Sequence, residues 1–185
     1  MSDPLQAAPS SPSEDQWCAF EREALPHVDR LFRLAMWMER DRQEAEDLVQ
    51  ETLLLALQAF HRYEHGTNCP AWLITILQNV RSNRRRAKVR RLAVEEPVDR
   101  LEERAEFMPE IPAHLTDEEV LTALREIPEH YQNIIVLSDV EELSYKEIAD
   151  ALGIPIGTVM SRLHRGRALL RKSLVASGVT CAAGA

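Results

Sequence analysis

The side chains best suited to bind a polyanion lie between Ser144 and Lys172. Ser144 and Glu147 have capping-box spacing, and Gly153 suits the left-handed position that ends a helix. A second helix is predicted to start near residues 156–158, with polar and basic side chains facing outward. Such side chains donate hydrogen bonds to base edges in the major groove, and a helix N-terminus holds phosphate. The pattern predicts a helix-turn-helix; a helical hairpin with a solvated arginine face is the alternative.

A second basic stretch follows a polar loop in the first half of the chain. Seven of the eleven residues from Arg81 to Arg91 are basic, and they continue a helix predicted from about Pro70. The preceding segment, HRYEHGTNCP, contains the glycine, asparagine and proline typical of a loop. A basic helix after an aromatic-bearing loop favours backbone or single-strand binding, because stacking and phosphate neutralisation tolerate any base sequence. A solvated linker flank is the alternative interpretation of the arginines.

Charge is segregated along this chain. The formal net charge of the 185 residues is −8, which at first argues against a nucleic-acid binder. However, Leu92–Glu119 carries ten acidic and two basic residues, so the rest of the chain sums to zero. No acidic residue follows Asp150. The overall acidity is therefore compatible with two separate basic surfaces.

The spacing of apolar residues predicts an all-α fold of two small helical domains. Apolar residues recur at three- and four-residue steps, which predicts helices over 21–38 and 45–60, from 70 onward, and over 120–127 and 128–140, before the helix-turn-helix. Prolines interrupt the acidic segment, which predicts a flexible linker. We therefore expect a disordered tail at 1–16, a helical domain at 17–91, an acidic linker at 92–115, a four-helix domain at 116–176 and a tail at 177–185.

Several other classes of protein find no support in the sequence. The three cysteines are far apart and form neither a disulfide framework nor a zinc motif. His61, His65 and Cys69 have the ligand spacing of a helix, but Gly66 and Asn68 interrupt a helix there, so we predict neither metal nor cofactor. No catalytic motif is found, so we expect no enzyme. Without a signal peptide or an apolar run of ~18 residues, a cytoplasmic protein with no membrane insertion is expected.

Two blocks of the sequence, taken together, resemble a known family. They are DLVQETLLLALQAFHRYEHGTNCPAWLITILQNVRSNRRR and IPEHYQNIIVLSDVEELSYKEIADALGIPIGTVMSRLHRGRALLR. In this order and at this separation they resemble bacterial RNA polymerase sigma factors of the extracytoplasmic-function (ECF) type, over roughly residues 20–175. The resemblance implies a factor that directs core RNA polymerase to promoters and opens the −10 element, under anti-sigma control in a stress response.

The resemblance also implies where core RNA polymerase binds. The DLVQE segment is similar to the surface that docks on the β′ clamp helices, and the β flap is a further expected contact. The expected docking residues are Asp47, Leu48, Gln50 and Glu51. Acidic residues also stabilise a helix N-terminus by ~0.3–1 kcal/mol each, and the two roles do not conflict. The acidic linker would pass through the active-site cleft and RNA exit channel, its charge mimicking RNA.

Promoter contacts are implied in both domains. The loop is similar to one that captures a base flipped from the single-stranded −10 element, which needs a polar pocket. The expected −10 residues are Gly66, Thr67, Asn68, Cys69, Asn79, Asn83 and, holding phosphates, Arg81, Arg84, Arg85 and Arg86. Trp72 is interpreted as packing the loop on the helix rather than stacking on a base. The expected −35 duplex residues are Thr158, Met160, Ser161, Arg162, His164 and Arg165. Met160 stands where relatives often carry a basic residue, which predicts a different base preference.

Two other functions are compatible with parts of the pattern. A self-sufficient regulator would use the same helix-turn-helix, but it should bind duplex DNA alone and contain a dimerisation helix, and no such seam is evident. An anti-sigma or adaptor protein would bind only other proteins, which the arginines of the second helix disfavour.

Overall fold

The computed structural model describes residues 14–92 and 116–182, and these are mainly helical, with no strand among them. The all-α prediction is therefore confirmed. The chain divides into two compact units, Met1–Glu95 and Glu96–Ala185. The predicted tails, apart from residues 14–16 and 177–182, and the predicted linker, apart from Leu92, lie outside the described residues. Within the described ranges, no helix is both long enough and apolar enough to cross a membrane.

The first unit is a helical bundle. Its helices are α1 (Glu14–Glu23), α2 (Val28–Glu39), α3 (Arg42–Ala59) and α4 (Cys69–Leu92), with short 3-10 turns at Leu25–His27 and Phe60–Arg62. Helix α3 begins after Asp41, whose carboxylate accepts a hydrogen bond from the backbone N–H of Glu44 at 2.9 Å. This cap satisfies one of the unpaired donors at the helix start. Helix α3 packs against both α2 and α4, so these three helices share one core.

The first predicted helix, 21–38, is divided in two in the structure. Pro26 lies in the 3-10 turn that separates α1 from α2, and a proline is tolerated there because the first N–H groups of a helical turn have no internal partner. Helix α1 begins at Glu14, inside the predicted tail. It is held by Phe20, which is 2% exposed and packs edge-on against Phe60 at 5.3 Å between ring centroids. Buried aromatic area therefore orders a segment whose composition favoured disorder.

The second unit is built around its last helix. Its helices are α5 (Asp117–Glu126), α6 (Glu129–Ile135), α7 (Tyr145–Leu152) and α8 (Ile156–Ala182). The capping box predicted at the start of α7 is present, a second one begins α5 at Thr116 and Glu119, and Gly153 ends α7 with φ 63°. Helices α5, α6 and α7 all pack on α8. A Cβ on Gly166 would lie 3.2 Å from both Ile135 Cδ1 and Tyr131 Cβ, so this glycine permits the close approach of α6 and α8.

The predicted helix 128–140 changes its winding before it ends. After α6, residues Val136–Val140 form a π-helical turn in which the N–H of Glu141 donates to the carbonyl of Val136 at 2.9 Å. The wider turn ends at Glu142, a non-glycine residue with φ 54°. π-helical turns are uncommon and occur often at functional sites. Here the turn presents Asp139 to α8, as described below.

Candidate nucleic-acid and protein interfaces

The exposed face of α3 carries three of the four residues expected to dock on polymerase. Asp47, Gln50 and Glu51 are exposed and lie on one side of the helix, opposite the buried face that contains Ala45, Val49 and Thr52. Leu48 is fully buried, so the prediction that it contacts polymerase is wrong; its position on the helix points it into the core.

Sequence reasoning missed Leu54 as part of this surface. It is 56% exposed and lies three residues after Glu51 and seven after Asp47, on the same side of α3. The spacing was readable from the sequence, because positions separated by three and seven residues share a helical face. An exposed leucine surrounded by acidic and amide side chains is typical of the apolar centre and polar rim of a protein interface.

Glu51 also forms an ion pair with the helix expected to bind DNA. Arg84 Nη2 lies 2.6 Å from Glu51 Oε2, and the same nitrogen donates to the carbonyl of Asp47 at 3.0 Å. The prediction that Arg84 holds phosphate is therefore incomplete, since its guanidinium is already bonded to α3. This ion pair connects the expected polymerase-docking face of α3 to the basic helix α4.

The loop between α3 and α4 is ordered by its own hydrogen bonds. Tyr63 Oη donates to the carbonyl of Thr67 at 2.9 Å, and Thr67 Oγ1 donates to the carbonyl of Glu64 at 2.7 Å. Gly66 adopts φ 84°, in the left-handed region that other residues enter at a cost. Asn68 Oδ1 accepts from the N–H of Ala71 and so caps α4. Gly66, Thr67 and Asn68 are all exposed, as a base-binding loop requires.

Cys69 does not belong to the exposed loop. It is the first residue of α4 and is 6% exposed, so its predicted role in base capture is wrong. Burial raises the pKa of its thiol, and the negative charge of Glu23 raises it further against a smaller opposing effect of the hydrogen bond with Tyr63. The residue closes the base of the loop instead of lining it.

We expect the Cys69 thiol to resist alkylation. Because the thiolate is the nucleophile, burial and a raised pKa should make its reaction with iodoacetamide at pH 7.5 at least about tenfold slower than that of exposed Cys18. Peptide mass spectrometry of the intact folded chain, quenched over time, measures both rates. Equal rates for the two cysteines would contradict the buried placement, and equal rates after denaturation provide the control.

An aromatic cluster supports the loop from beneath. The rings of Tyr63 and Trp72 lie 4.9 Å apart, and Phe60 lies 5.5 Å from Tyr63 and 6.1 Å from Trp72. His65 packs edge-on against Phe60, and its Nδ1 lies 2.9 Å from Glu23 of α1. Trp72 is half-buried in this cluster, which agrees with its interpretation as a residue that packs the loop on α4.

Helix α4 presents a polar surface next to the loop. Asn79, Asn83, Arg85 and Arg86 are exposed on it. Arg86 Nη2 donates to Asn83 Oδ1 at 2.7 Å. Asn79, Asn83 and Arg86 share one side of α4, and Arg85 lies on another side.

Arg81, predicted to hold a phosphate, is buried and paired inside the first unit. Its side chain is 11% exposed, its Nε donates to Glu39 Oε1 at 2.8 Å, and its Nη2 lies 3.4 Å from the carbonyl of Met38. A guanidinium buried against α2 cannot reach a phosphate at the surface. Its role is to tie α4 to the end of α2.

We expect Arg81→Gln to destabilise the first unit by about 2 kcal/mol. Removing one partner leaves the Glu39 carboxylate, only partly exposed, without its ion pair, and such losses in buried sites reach ~3–5 kcal/mol. Hydrogen exchange measured by mass spectrometry on the full chain should show faster exchange in the helices of the first unit and unchanged exchange in the second unit. The matched control is Arg90→Gln, which removes the same charge from an exposed position of α4. Unchanged protection in Arg81→Gln would contradict the structural role.

Helix α8 exposes the residues predicted to read duplex DNA. Met160, Ser161, His164 and Arg165 are exposed on its first three turns, and Thr158 and Arg162 are half-buried beside them. The opposite side is anchored by Val159 and Leu163, which are 0% and 2% exposed. The six predicted residues therefore share one surface at the N-terminal end of a helix whose start is fixed by Gly153 and Pro155.

Arg167, further along α8, is already paired. Its Nη2 contacts Asp139 Oδ1 at 2.5 Å, and a second nitrogen lies 3.2 Å from the other carboxylate oxygen. Burial acts to raise the pKa of Asp139, but hydrogen bonds from Arg167 and Ser138 outweigh it and hold that pKa below its ordinary value. This bidentate pair fixes the π-helical turn against α8, so Arg167 orients the helix.

Comparison with known proteins matches each unit to a separate family model. Residues 25–91 match sigma-70 region 2, and residues 117–170 match sigma-70 region 4. These two ranges include α2 to α4 and α5 to the middle of α8.

Individual relatives match across both units. The ECF RNA polymerase sigma factor SigE of Mycolicibacterium smegmatis is 38% identical over 152 residues, which cover 80% of this chain and 58% of that protein. EcfG of Rhodopseudomonas palustris, also an ECF RNA polymerase sigma factor, is 35% identical over 84% of this chain and 85% of its own length. Among solved structures, the sigma factor RpoE of Bartonella quintana, crystallised with the anti-sigma factor NepR, superposes with a TM-score of 0.65 at 29% identity, covering 84% of this chain and 96% of that chain.

Proposed function

This chain belongs to the ECF group of the sigma-70 family, and we propose that it directs core RNA polymerase to specific promoters and opens their −10 element. The observation that carries this proposal is that both family regions occur in one chain and in order. The chain itself contributes binding and no catalysis. Its site of action is the cytoplasm, where the polymerase is.

The first unit docks on polymerase through α3. Asp47, Gln50 and Glu51 supply negative charge and amide donors for the β′ clamp helices, and Leu54 supplies an apolar contact on the same side of α3. Burying a leucine contributes about 1.5–3 kcal/mol, whereas exposed charge pairs at the rim contribute less and steer the approach. Affinity and orientation thus come from different side chains of one helix.

The first unit also captures the melted −10 strand. Gly66, Thr67 and Asn68 present backbone and side-chain hydrogen-bonding groups on an ordered loop, and flipping a base into it costs a few kcal/mol. Asn79 and Asn83 lie along α4 to bind the flanking bases. Arg85 and Arg86 neutralise phosphates, and Arg84 can join them where its pair with Glu51 opens. An ordered loop lowers the conformational entropy lost on capture.

The second unit reads the −35 element as duplex. The exposed residues on the first turns of α8 enter the major groove, where arginine and serine donate to purine acceptors. The capping box of α7 and the Asp139–Arg167 pair hold α8 in a fixed orientation. The α8 side chains that contact bases are then already in position when DNA binds, and each contact contributes specificity.

An anti-sigma protein is the expected regulator. The Bartonella quintana relative was crystallised with one, and this chain superposes on that relative over 84% of its length. Such a protein would cover the docking face of α3 or the exposed face of α8, because both must stay accessible for initiation.

In vitro transcription tests the proposal directly. Core polymerase, this chain as the sole specificity factor and a template library with randomised −35 and −10 elements should yield specific transcripts, which core polymerase alone should not. Failure to enrich any promoter over the core-only reaction would overturn the proposal. Sequence-specific binding of the isolated chain to duplex DNA, with no effect on transcription, would favour a self-sufficient regulator instead.

A further inference from the structure

The exposed surface of α8 has an apolar edge. Ile156 and Met160 are 46% and 50% exposed, and they lie four residues apart on one side of the helix. Residues at this spacing are neighbours on a helical surface. Both belong to the first two turns, the part of the helix that reaches base edges in a helix-turn-helix. The edge is therefore in position to touch DNA and has no charge of its own.

The nearest arginine along this edge is already paired. Arg167 follows Met160 by seven residues and so lies on the same side of α8, but its guanidinium is bonded to both carboxylate oxygens of Asp139. The exposed Arg165 and the half-buried Arg162 lie on the other side of the exposed face. Helix α8 therefore meets DNA with one apolar and one basic edge.

The major groove offers one apolar feature for such an edge. Of the groups that base pairs display there, the C5-methyl of thymine is the one that makes no hydrogen bond. A methionine side chain is unbranched and polarizable, so it adapts to a methyl group that approaches from different angles. The polar groups of guanine, adenine or cytosine at this position would lose water against a thioether that cannot replace their hydrogen bonds.

We propose that Met160, with Ile156 beside it, selects a thymine in the −35 element through contact with its C5-methyl group. This inference rests on the proposed function, in which α8 lies in the major groove. DNA is the occupant that fits, because the same exposed face of α8 also carries His164 and Arg165, and these side chains match a phosphate-lined groove. The apolar edge selects the base, and the basic edge binds the phosphate backbone of the DNA.

Replacing thymine by uracil removes only the methyl group and so isolates this contact. Promoters selected from the randomised library would be rebuilt with deoxyuridine at each enriched −35 thymine, on either strand, one position at a time. With wild-type holoenzyme, one position should weaken promoter binding about fourfold, the size expected for one buried methyl. The other positions should change little.

Variants of Met160 connect that position to this side chain. Holoenzyme containing Met160→Ala should bind the thymine and uracil promoters equally well, and Met160→Leu should keep most of the preference. The control is Leu121→Ala, which removes an exposed apolar side chain of α5 and should leave the fourfold ratio intact. A fourfold ratio that persists in Met160→Ala would overturn the inference, as would the absence of any methyl-sensitive position.

The outcomes also separate this inference from the proposed function. A holoenzyme that selects promoters but shows no methyl effect refutes the role of Met160 alone. A holoenzyme that selects no promoter refutes the proposed function, and with it the inference. Loss of core polymerase binding in Met160→Ala, measured by fluorescence anisotropy, would mean that the apolar edge binds protein, which also contradicts the proposal.

Discussion

Asp47→Arg is expected to lower the affinity for core RNA polymerase by about 100-fold, because like charges brought together at an interface cost several kcal/mol. The side chain is exposed, and its carboxylate accepts a hydrogen bond from Gln43 of the same helix, so its loss should not disturb the core of the unit. The affinity is measured by titrating labelled chain with core polymerase. The effect should shrink as salt rises, since salt screens exposed charges.

The same charge reversal on another helix shows whether binding to core polymerase depends on the position of the charge or on the total charge. Asp29 is an exposed aspartate on α2, away from the docking face, so Asp29→Arg changes the net charge by the same amount. We expect Asp29→Arg to bind core polymerase as the wild type does. Equal losses in both variants would mean that overall charge steers binding and that α3 is not the docking surface. Leu54→Ala tests the apolar centre of the surface, where the loss should be insensitive to salt.

Arg165→Ala should reduce −35-dependent initiation by about 10- to 100-fold, because one good base contact is worth ~1–3 kcal/mol. Within the part of the chain that the structure describes, Arg165 is exposed and forms no ion pair. Its removal therefore costs little folding energy. Initiation is measured by run-off transcription on a promoter selected with the wild-type chain, and binding to core polymerase should stay unchanged.

Two comparisons make this result specific. On a pre-melted template without a −35 element, Arg165→Ala and the wild type should initiate equally. Arg167→Ala removes the same kind of side chain one turn from the reading surface, and its effect should appear as loss of the contact with Asp139, hence as faster hydrogen exchange in residues 136–140. A loss of core polymerase binding in Arg165→Ala would show that α8 had been assigned the wrong role.

Local features of the fold were predictable because their causes lie within a few residues. The capping box at Ser144 and the left-handed Gly153 depend on residues at most four positions away, and each is present as expected. The buried side of α8 also follows from its period, with Val159 and Leu163 buried. Short-range hydrogen bonding and helical periodicity are enough for such elements.

The errors have causes in packing that local spacing and composition do not show. Arg81 looked like one of many arginines in a basic run, and its burial depends on Glu39, 42 residues away. Cys69 was assigned to an exposed loop, but packing with Tyr63 and the start of α4 buries it. The π-helical turn at Val136–Val140 depends on how Asp139 meets α8. Composition cannot distinguish a buried, paired arginine from a solvated one.

The contact of Arg84 with Glu51 and Asp47 has a consequence for how such proteins diverge. One side chain of the proposed docking face and one side chain of the helix proposed to bind the promoter form a single ion pair. A lineage that changes Glu51 to suit an altered polymerase also changes the charge available to DNA at Arg84. Redesigning either proposed binding role for a synthetic gene circuit therefore requires choosing residues 47, 51 and 84 as a set.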